Sequence, residues 1–115
     1  LTAGLADLAG LRTPTELPNR SHVWHQYTVL VTAEAPVDRD KLAAGLGERG
    51  IGHGIYYPHQ VFDHACYREH PRVVIDDTPT ASRVAQQCLS LPVHPALTDA
   101  NLDTVIGAVR EMFET

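Results

Sequence analysis

The chain has 115 residues, 43% of them hydrophobic and 20% charged, a composition typical of one globular domain that excludes a disordered or collagen-like chain. The formal net charge of −5 argues against a nucleic-acid partner, because phosphate binding normally needs a basic surface. The apolar stretches are too short to cross a membrane, and we expect no signal peptide because no basic region followed by an apolar run appears at the start. Cys66 and Cys88 form no disulfide framework, so we expect reduced thiols in a cytoplasmic protein.

The first predicted elements are a helix tail, a connector and a strand. Leucines at helical spacing followed by Gly10 indicate the tail of a helix over 1–10, which we expect to continue from a longer protein because the chain begins without Met. Two prolines favour an extended connector over 11–21. Residues 22–33 are rich in β-branched and aromatic side chains and predict a strand. Its more apolar face, which should meet the core, carries Val23, His25, Tyr27, Val29 and Val31.

A helix, a short strand and an irregular segment are predicted next. Asp38 can cap a helix over 38–49, and Gly50 ends it. A short strand over 51–57 stops at a proline. The segment 59–78 reads as irregular with one helical turn near its start.

The last third of the chain predicts two helices around an extended run. Thr78 and then Pro79 mark the first helix, whose apolar stripe places Cys88 on a buried face. The extended run covers 89–95, and Thr98 caps a final helix over 99–113. This alternation predicts an α/β (α+β) fold, in which a small mixed sheet of about three strands has helices packed on one side.

The histidines do not predict a metal site. His22 and His25 would point to opposite faces of a strand, so they cannot bind one ion together. A second cluster, within residues 59–70, has the imidazole and thiol groups that zinc accepts as ligands, but its spacing matches no common zinc pattern. A His/Cys metal-binding domain therefore stays as a minor alternative, centred on His59, His64, Cys66 and His70.

Tyr56 and Tyr57 are better candidates for ligand binding. They end a predicted strand at Pro58, and strand ends that open into loops are frequent ligand sites. A phenol offers a flat apolar face and a hydrogen-bonding tip, which suit a sugar or a base. Ordinary aromatic packing at a strand end is the alternative.

Three segments in order resemble the C-terminal domain of the DegT/StrS-type sugar aminotransferases. They are HVWHQYTVLV (22–31), GIGHGIYYP (50–58) and LSLPVHPALT (89–98). The resemblance covers nearly the whole chain. It implies a fold-type I enzyme that uses pyridoxal 5'-phosphate to transfer an amino group to a keto-sugar, commonly nucleotide-linked. The loop after Pro58 departs from the family pattern at Gln60 and Phe62, which makes a keto-cyclitol an alternative acceptor.

The resemblance also implies what this chain would and would not contribute. The Schiff-base lysine and the cofactor site would lie in a larger N-terminal domain, because Lys41, the single lysine, stands where the family has no catalytic lysine. Residues 1–115 would then form the small C-terminal domain of a homodimeric, cytoplasmic enzyme and be inactive alone. That domain would provide one wall of the substrate cleft, with substrate-binding residues Tyr56, Tyr57, His25 and His59. A free-standing α/β module that binds a ligand or a protein is the alternative.

Overall fold

Three strands form one antiparallel sheet in the computed structural model, which describes residues 1–114. The short edge strand β1 (Leu11–Arg12) pairs with the central strand β2 (Tyr27–Val31), which pairs on its other side with β3 (Cys88–Leu91). The predicted α/β class with about three strands is confirmed. The sheet is antiparallel throughout, however, where a mixed sheet was predicted.

Five helices accompany the sheet, together with one short 3-10 helix at Val61–Asp63. The helices are α1 (Thr2–Leu5), α2 (Arg39–Glu48), α3 (Ala65–Arg68), α4 (Pro79–Gln87) and α5 (Asp99–Phe113). The caps predicted at Asp38 and Thr98 are confirmed, because the Asp38 carboxylate accepts from the Lys41 amide at 2.8 Å and the Thr98 hydroxyl accepts from the Asn101 amide at 3.2 Å.

The first third of the chain has shorter elements than predicted. The helix tail over 1–10 is limited to α1, and the connector over 11–21 begins as strand β1. The strand over 22–33 is limited to β2. Trp24 has a φ of +50°, which interrupts an extended conformation, and this leaves Val23 87% exposed.

The strand predicted over 51–57 is also wrong as a continuous element. Only Gly54 forms a bridge there, antiparallel to Ser90, through two backbone hydrogen bonds of 2.8 and 3.0 Å. The run over 89–95 likewise contributes only its first residues, to β3. Pro92 and Pro95 both follow the end of that strand, and a proline cannot donate a ladder hydrogen bond.

One hydrophobic core lies between the inner face of the sheet and helices α1, α2 and α5. Alternate residues of β2 face it, as the strand periodicity predicts. The side chains that are fully buried there are Leu5, Val29, Leu42, Leu46, Leu89 and Val109. Full burial of an aliphatic side chain stabilises the fold by about 1.5–3 kcal/mol. The packing of these side chains therefore holds the sheet against the three helices.

Helix α4 borders the opposite, outer face of the sheet, so the helices are not confined to one side. It carries the predicted apolar stripe, yet none of its residues is buried. Val84 in the middle of that stripe is 37% exposed, and Cys88 is only half-buried. The prediction that Cys88 lies on a buried helix face is therefore wrong, because α4 ends at Gln87, Cys88 begins β3, and the stripe faces an open cavity.

An ion pair joins the turn after α1 to helix α5, and it predicts a pH dependence. Both Asp7 carboxylate oxygens accept from the Arg110 guanidinium at 2.8 Å, and these bonds lower the pKa of Asp7 from 3.8 to about 2. A lowered carboxyl pKa stabilises the fold fully above 3.8, and that contribution is lost as the pH falls toward 2. We expect Asp7→Asn to lower stability at neutral pH and to approach the parent protein only as the pH falls to about 2 in urea denaturation. A gap between the two proteins that stays constant with pH would contradict this linkage.

Candidate functional site

A cavity of about 420 Å³ opens between α4 and the outer face of the sheet. Its floor is the cross-strand pair Thr28 and Ser90, whose hydroxyl oxygens lie 2.8 Å apart. Ala81, Val84 and Ala85 of α4 form one wall. The volume lies within the range of small-molecule sites, which is about 300–1,000 Å³.

Tyr56 and Tyr57 lie on the side of the cavity formed by residues 51–58. Both line it and both are largely exposed, at 59% and 75%. The bridge between Gly54 and Ser90 fixes this segment to β3, so the backbone that carries the two tyrosines is held against the sheet. A Cβ atom at Gly54 would lie only 2.6 Å from the Tyr56 ring. The absence of a side chain at Gly54 therefore lets the Tyr56 ring lie across the backbone beside the cavity.

The loop after Pro58 completes the enclosure. His59, Val61 and Phe62 line the cavity, and the Gln60 side chain accepts a hydrogen bond from the Thr78 hydroxyl at the start of α4. That bond connects the loop to the helix wall across the mouth. Thr78 is the N-cap residue of α4, but its hydroxyl serves this connection and does not cap the helix.

The cavity is apolar with uncharged hydrogen-bonding groups. Within residues 1–114 no aspartate, glutamate, lysine or arginine lines it. Hydroxyls and amides offer both donors and acceptors, and the phenol rings offer flat apolar faces. This lining suits an uncharged ring that carries hydroxyl groups.

The predicted site residues divide between two neighbouring pockets. Tyr56, Tyr57 and His59 line the cavity. His25 does not, and it is exposed, where the strand pattern predicted a buried face beside Tyr27. It lines an adjoining pocket of about 280 Å³ instead, together with His53 and Tyr56.

Sequence reasoning missed the floor of the cavity. Thr28 falls on the less apolar face of the strand predicted over 22–33, and that position alone suggests no role. Ser90 is buried and bonds to Thr28 across the sheet, a contact that depends on the pairing of β2 with β3. The signal in the sequence was the break in apolar character at one residue on each strand.

The residues considered for metal binding are spread over the surface. His22 stacks on Trp24 with ring centroids 4.2 Å apart, and its Nδ1 accepts from the Trp24 amide at 2.9 Å. His64, Cys66 and His70 are exposed on or beside α3. Over the described residues, no three His, Cys, Asp or Glu side chains are placed to hold one metal ion.

Lys41 lies away from the cavity. Its side chain is 74% exposed on α2, with Nζ 3.7 Å from Asp38 Oδ2. The pyridoxal phosphate that the family resemblance implies needs a lysine to attach it and cationic or amide donors to hold its phosphate. Neither Lys41 nor the uncharged lining fits that group. As a separate observation, no helix within residues 1–114 has the length and hydropathy to cross a membrane.

The comparison with curated proteins finds longer relatives, among them a transaminase. The chain is 37% identical over 113 residues to dTDP-3-amino-3,4,6-trideoxy-alpha-D-glucose transaminase of Streptomyces venezuelae, which covers 97% of this chain and 28% of that protein. It is 36% identical over 106 residues to a "pleiotropic regulatory protein" of Geobacillus stearothermophilus, covering 88% of this chain and 26% of that one. The chain thus spans less than a third of these relatives.

Solved structures share the fold. DesV of S. venezuelae, solved in complex with a ketimine intermediate, matches with a TM-score of 0.83 and 36% identity over 99% of this chain and 29% of its own. The aminotransferase TlmJ of Streptoalloteichus hindustanus matches with a TM-score of 0.82 and 32% identity, covering 98% and 29% of the two chains. The family model for DegT/DnrJ/EryC1/StrS aminotransferases matches residues 1–110. The resemblance carried by the three sequence segments is therefore confirmed, and the chain belongs to the DegT/DnrJ/EryC1/StrS aminotransferase family.

Proposed function

We propose that this chain is the small C-terminal domain of an aminotransferase that acts on a keto-sugar or a keto-cyclitol. Its cavity would form one wall of the substrate cleft. The observation that carries the proposal is the open, uncharged cavity beside Tyr56 and Tyr57, in a chain that belongs to an aminotransferase family. The chain spans 28% of the Streptomyces venezuelae transaminase, so most of such an enzyme would be a preceding large domain.

The chemistry of the wall supports a ring-shaped acceptor. A sugar or cyclitol ring has apolar C–H faces that pack on phenol rings, and hydroxyl groups that bond to side-chain hydroxyls and amides. Tyr57 and the Thr28–Ser90 pair provide both kinds of contact. His59 contributes a further nitrogen at the mouth. None of these residues performs the amino transfer.

The cofactor would belong to the other part of the enzyme. Pyridoxal phosphate supplies the electron sink that lets an amino group leave one substrate and enter another. Because Lys41 and the cavity lining do not fit it, we propose that the large domain holds it and that the two domains act in a homodimeric, cytoplasmic enzyme. This chain's residues bind and orient the acceptor and exclude water from one side of the cleft.

Tyr57→Phe tests the wall in the full-length enzyme. The variant keeps the ring and removes one hydroxyl, so we expect KM for the keto acceptor to rise about 3–10-fold, the worth of one hydrogen bond. The visible absorbance of the bound cofactor should not change. Steady-state kinetics with varied acceptor and a cofactor spectrum measure both quantities.

The matched control is Tyr67→Phe, because Tyr67 is an exposed tyrosine on α3 that does not line the cavity. Gly54→Ala adds a second variant, since its Cβ should displace the Tyr56 ring with little effect on the fold. If Tyr57→Phe and Gly54→Ala both leave the acceptor KM at the level of the control, the cavity is not a substrate wall.

A further inference from the structure

Three histidines from separate parts of the chain meet at one end of the sheet. Tyr27 at the start of β2 pairs with Leu91 at the end of β3, so the residues just before β2 and just after β3 lie at the same end. His25 and His94 occupy those two positions. His53 joins them because the neighbouring Gly54 bridges to Ser90 in β3.

These histidines line a pocket of about 280 Å³ that adjoins the tyrosine-lined cavity. The two spaces share four lining residues, so they are immediate neighbours. The shared residues are Gln26, Gly54, Tyr56 and Ser90. We name the smaller space, lined by His25, His53 and His94, the histidine pocket.

The histidine pocket is rich in N–H donors and lacks competing charges. Within residues 1–114 no carboxylate, thiol, lysine or arginine lines it, and its Tyr56 phenol is the other titratable group that faces the histidines. His53 Nδ1 lies 3.2 Å from the Ile51 carbonyl oxygen, which orients that ring. Within residues 1–114, the ring nitrogens of His25 and His94 make no hydrogen bond to another residue. Their nitrogens are therefore available to a ligand.

This donor set favours an oxyanion over a metal ion. The described His, Cys, Asp and Glu side chains form no group of three that could hold a metal. Carboxylate and phosphate oxygens accept several N–H bonds at once, and such bonds are strengthened when the donor or acceptor is charged. No lysine or arginine within residues 1–114 lines the adjoining cavity, so on this chain the histidine pocket offers an anionic group the larger number of imidazole donors.

Resting on the proposed function, we propose that the histidine pocket binds an oxyanion of the substrate while the uncharged part of that substrate lies in the cavity. A carboxylate of the amino-acid donor and a phosphate of the acceptor have the same chemistry here. Kinetics with each substrate varied separately distinguish the two sources.

The test uses the full-length protein and the double variant His53→Gln/His94→Gln. Inorganic phosphate is titrated against protein that carries isotope-labelled histidine, and the ring signals are followed by NMR. We expect saturable shifts in the parent protein and an affinity about tenfold weaker in the double variant, because two charge-assisted bonds are removed. His64→Gln is the control, since His64 is exposed and lines neither pocket.

The kinetic arm identifies the source. A rise of about tenfold in KM for the keto acceptor assigns the oxyanion to its phosphate, and the same rise for the amino donor assigns it to a carboxylate. Phosphate affinity and both KM values equal to those of the His64→Gln control would overturn the proposal. Tyr57→Phe distinguishes a failure of this proposal from a failure of the proposed function. If the histidine pocket binds no oxyanion but the cavity is a substrate wall, Tyr57→Phe still raises the acceptor KM. If the cavity is not a substrate wall, Tyr57→Phe leaves the acceptor KM unchanged.

Discussion

Gly10→Ala is expected to lower the free energy of unfolding by about 3 kcal/mol or more, through backbone strain and a backbone clash together. Gly10 has a φ of +82°, which costs a residue with a side chain about 1–2 kcal/mol. An ideal Cβ there would lie 2.2 Å from the Ala35 amide nitrogen. Backbone cannot rotate away as a side chain can, so the turn that follows β2 has to move. The Thr32 amide donates to the Gly10 carbonyl at 2.8 Å, and this bond at the β1–β2 end would be disturbed.

Urea denaturation of the purified protein measures this loss. The control is Gly107→Ala in α5, where a Cβ meets nothing within 4 Å and φ is not positive. Removing a helix glycine there should raise stability by about 0.5–1 kcal/mol. If Gly10→Ala were as stable as the parent protein, the close approach between residue 10 and Ala35 would be absent in solution.

The helix ends were predictable from the sequence because they depend on neighbouring residues. Asp38 and Thr98 accept from amides three positions later, a contact that the capping pattern alone specifies. Gly50 follows α2 with a φ of +69°, and the Ile51 amide returns to the Leu46 carbonyl at 2.9 Å. This arrangement is a Schellman ending, and it needs a residue that tolerates positive φ.

The sheet and α4 were less predictable because they depend on distant partners. The composition of residues 22–33 indicates a strand throughout, but only the part opposite β3 finds a ladder partner, so β2 begins at Tyr27. The sequence of α4 contains an apolar stripe, and such a stripe predicts a helix face that packs against the core. Periodicity shows which side of a helix is apolar, and it cannot show whether that side meets a core or an open cavity.

The same division holds for the candidate site. Tyr56, Tyr57 and His59 were identified from one short segment, and the structure brings all three to one cavity. The pocket shared by His25 and His53 was not predicted, because it depends on the register of β2 with β3 and on the isolated bridge at Gly54. A single sequence does not reveal that register, so it does not bring these histidines together.

Arg39 is the residue that holds the unburied helix α4 in place, and it predicts the second large effect. Its side chain, at the start of α2, is nearly buried. Nη1 donates to the carbonyl oxygens of Ala85 and Cys88, both at 3.2 Å, and these carbonyls belong to the last turn of α4 and the start of β3. Carbonyls at a helix end have no partner within the helix, so Arg39 satisfies groups that α4 cannot satisfy itself. Since α4 buries no side chain of its own, this contact does much to position the cavity wall.

We therefore expect Arg39→Ala to lower the free energy of unfolding by about 2–3 kcal/mol, from the loss of two charge-assisted bonds and of buried packing. Hydrogen exchange should accelerate at the amides of α4, while the amides of α5 keep their protection relative to global unfolding. Asp40→Asn is the matched control, because it removes the exposed carboxylate that Arg39 Nε contacts at 2.6 Å and leaves both carbonyl bonds intact. We expect it to cost less than half as much as Arg39→Ala and to leave exchange in α4 unchanged. Equal exchange of α4 in Arg39→Ala and the parent protein would mean that this helix is held by other contacts, and that the cavity wall does not depend on α2.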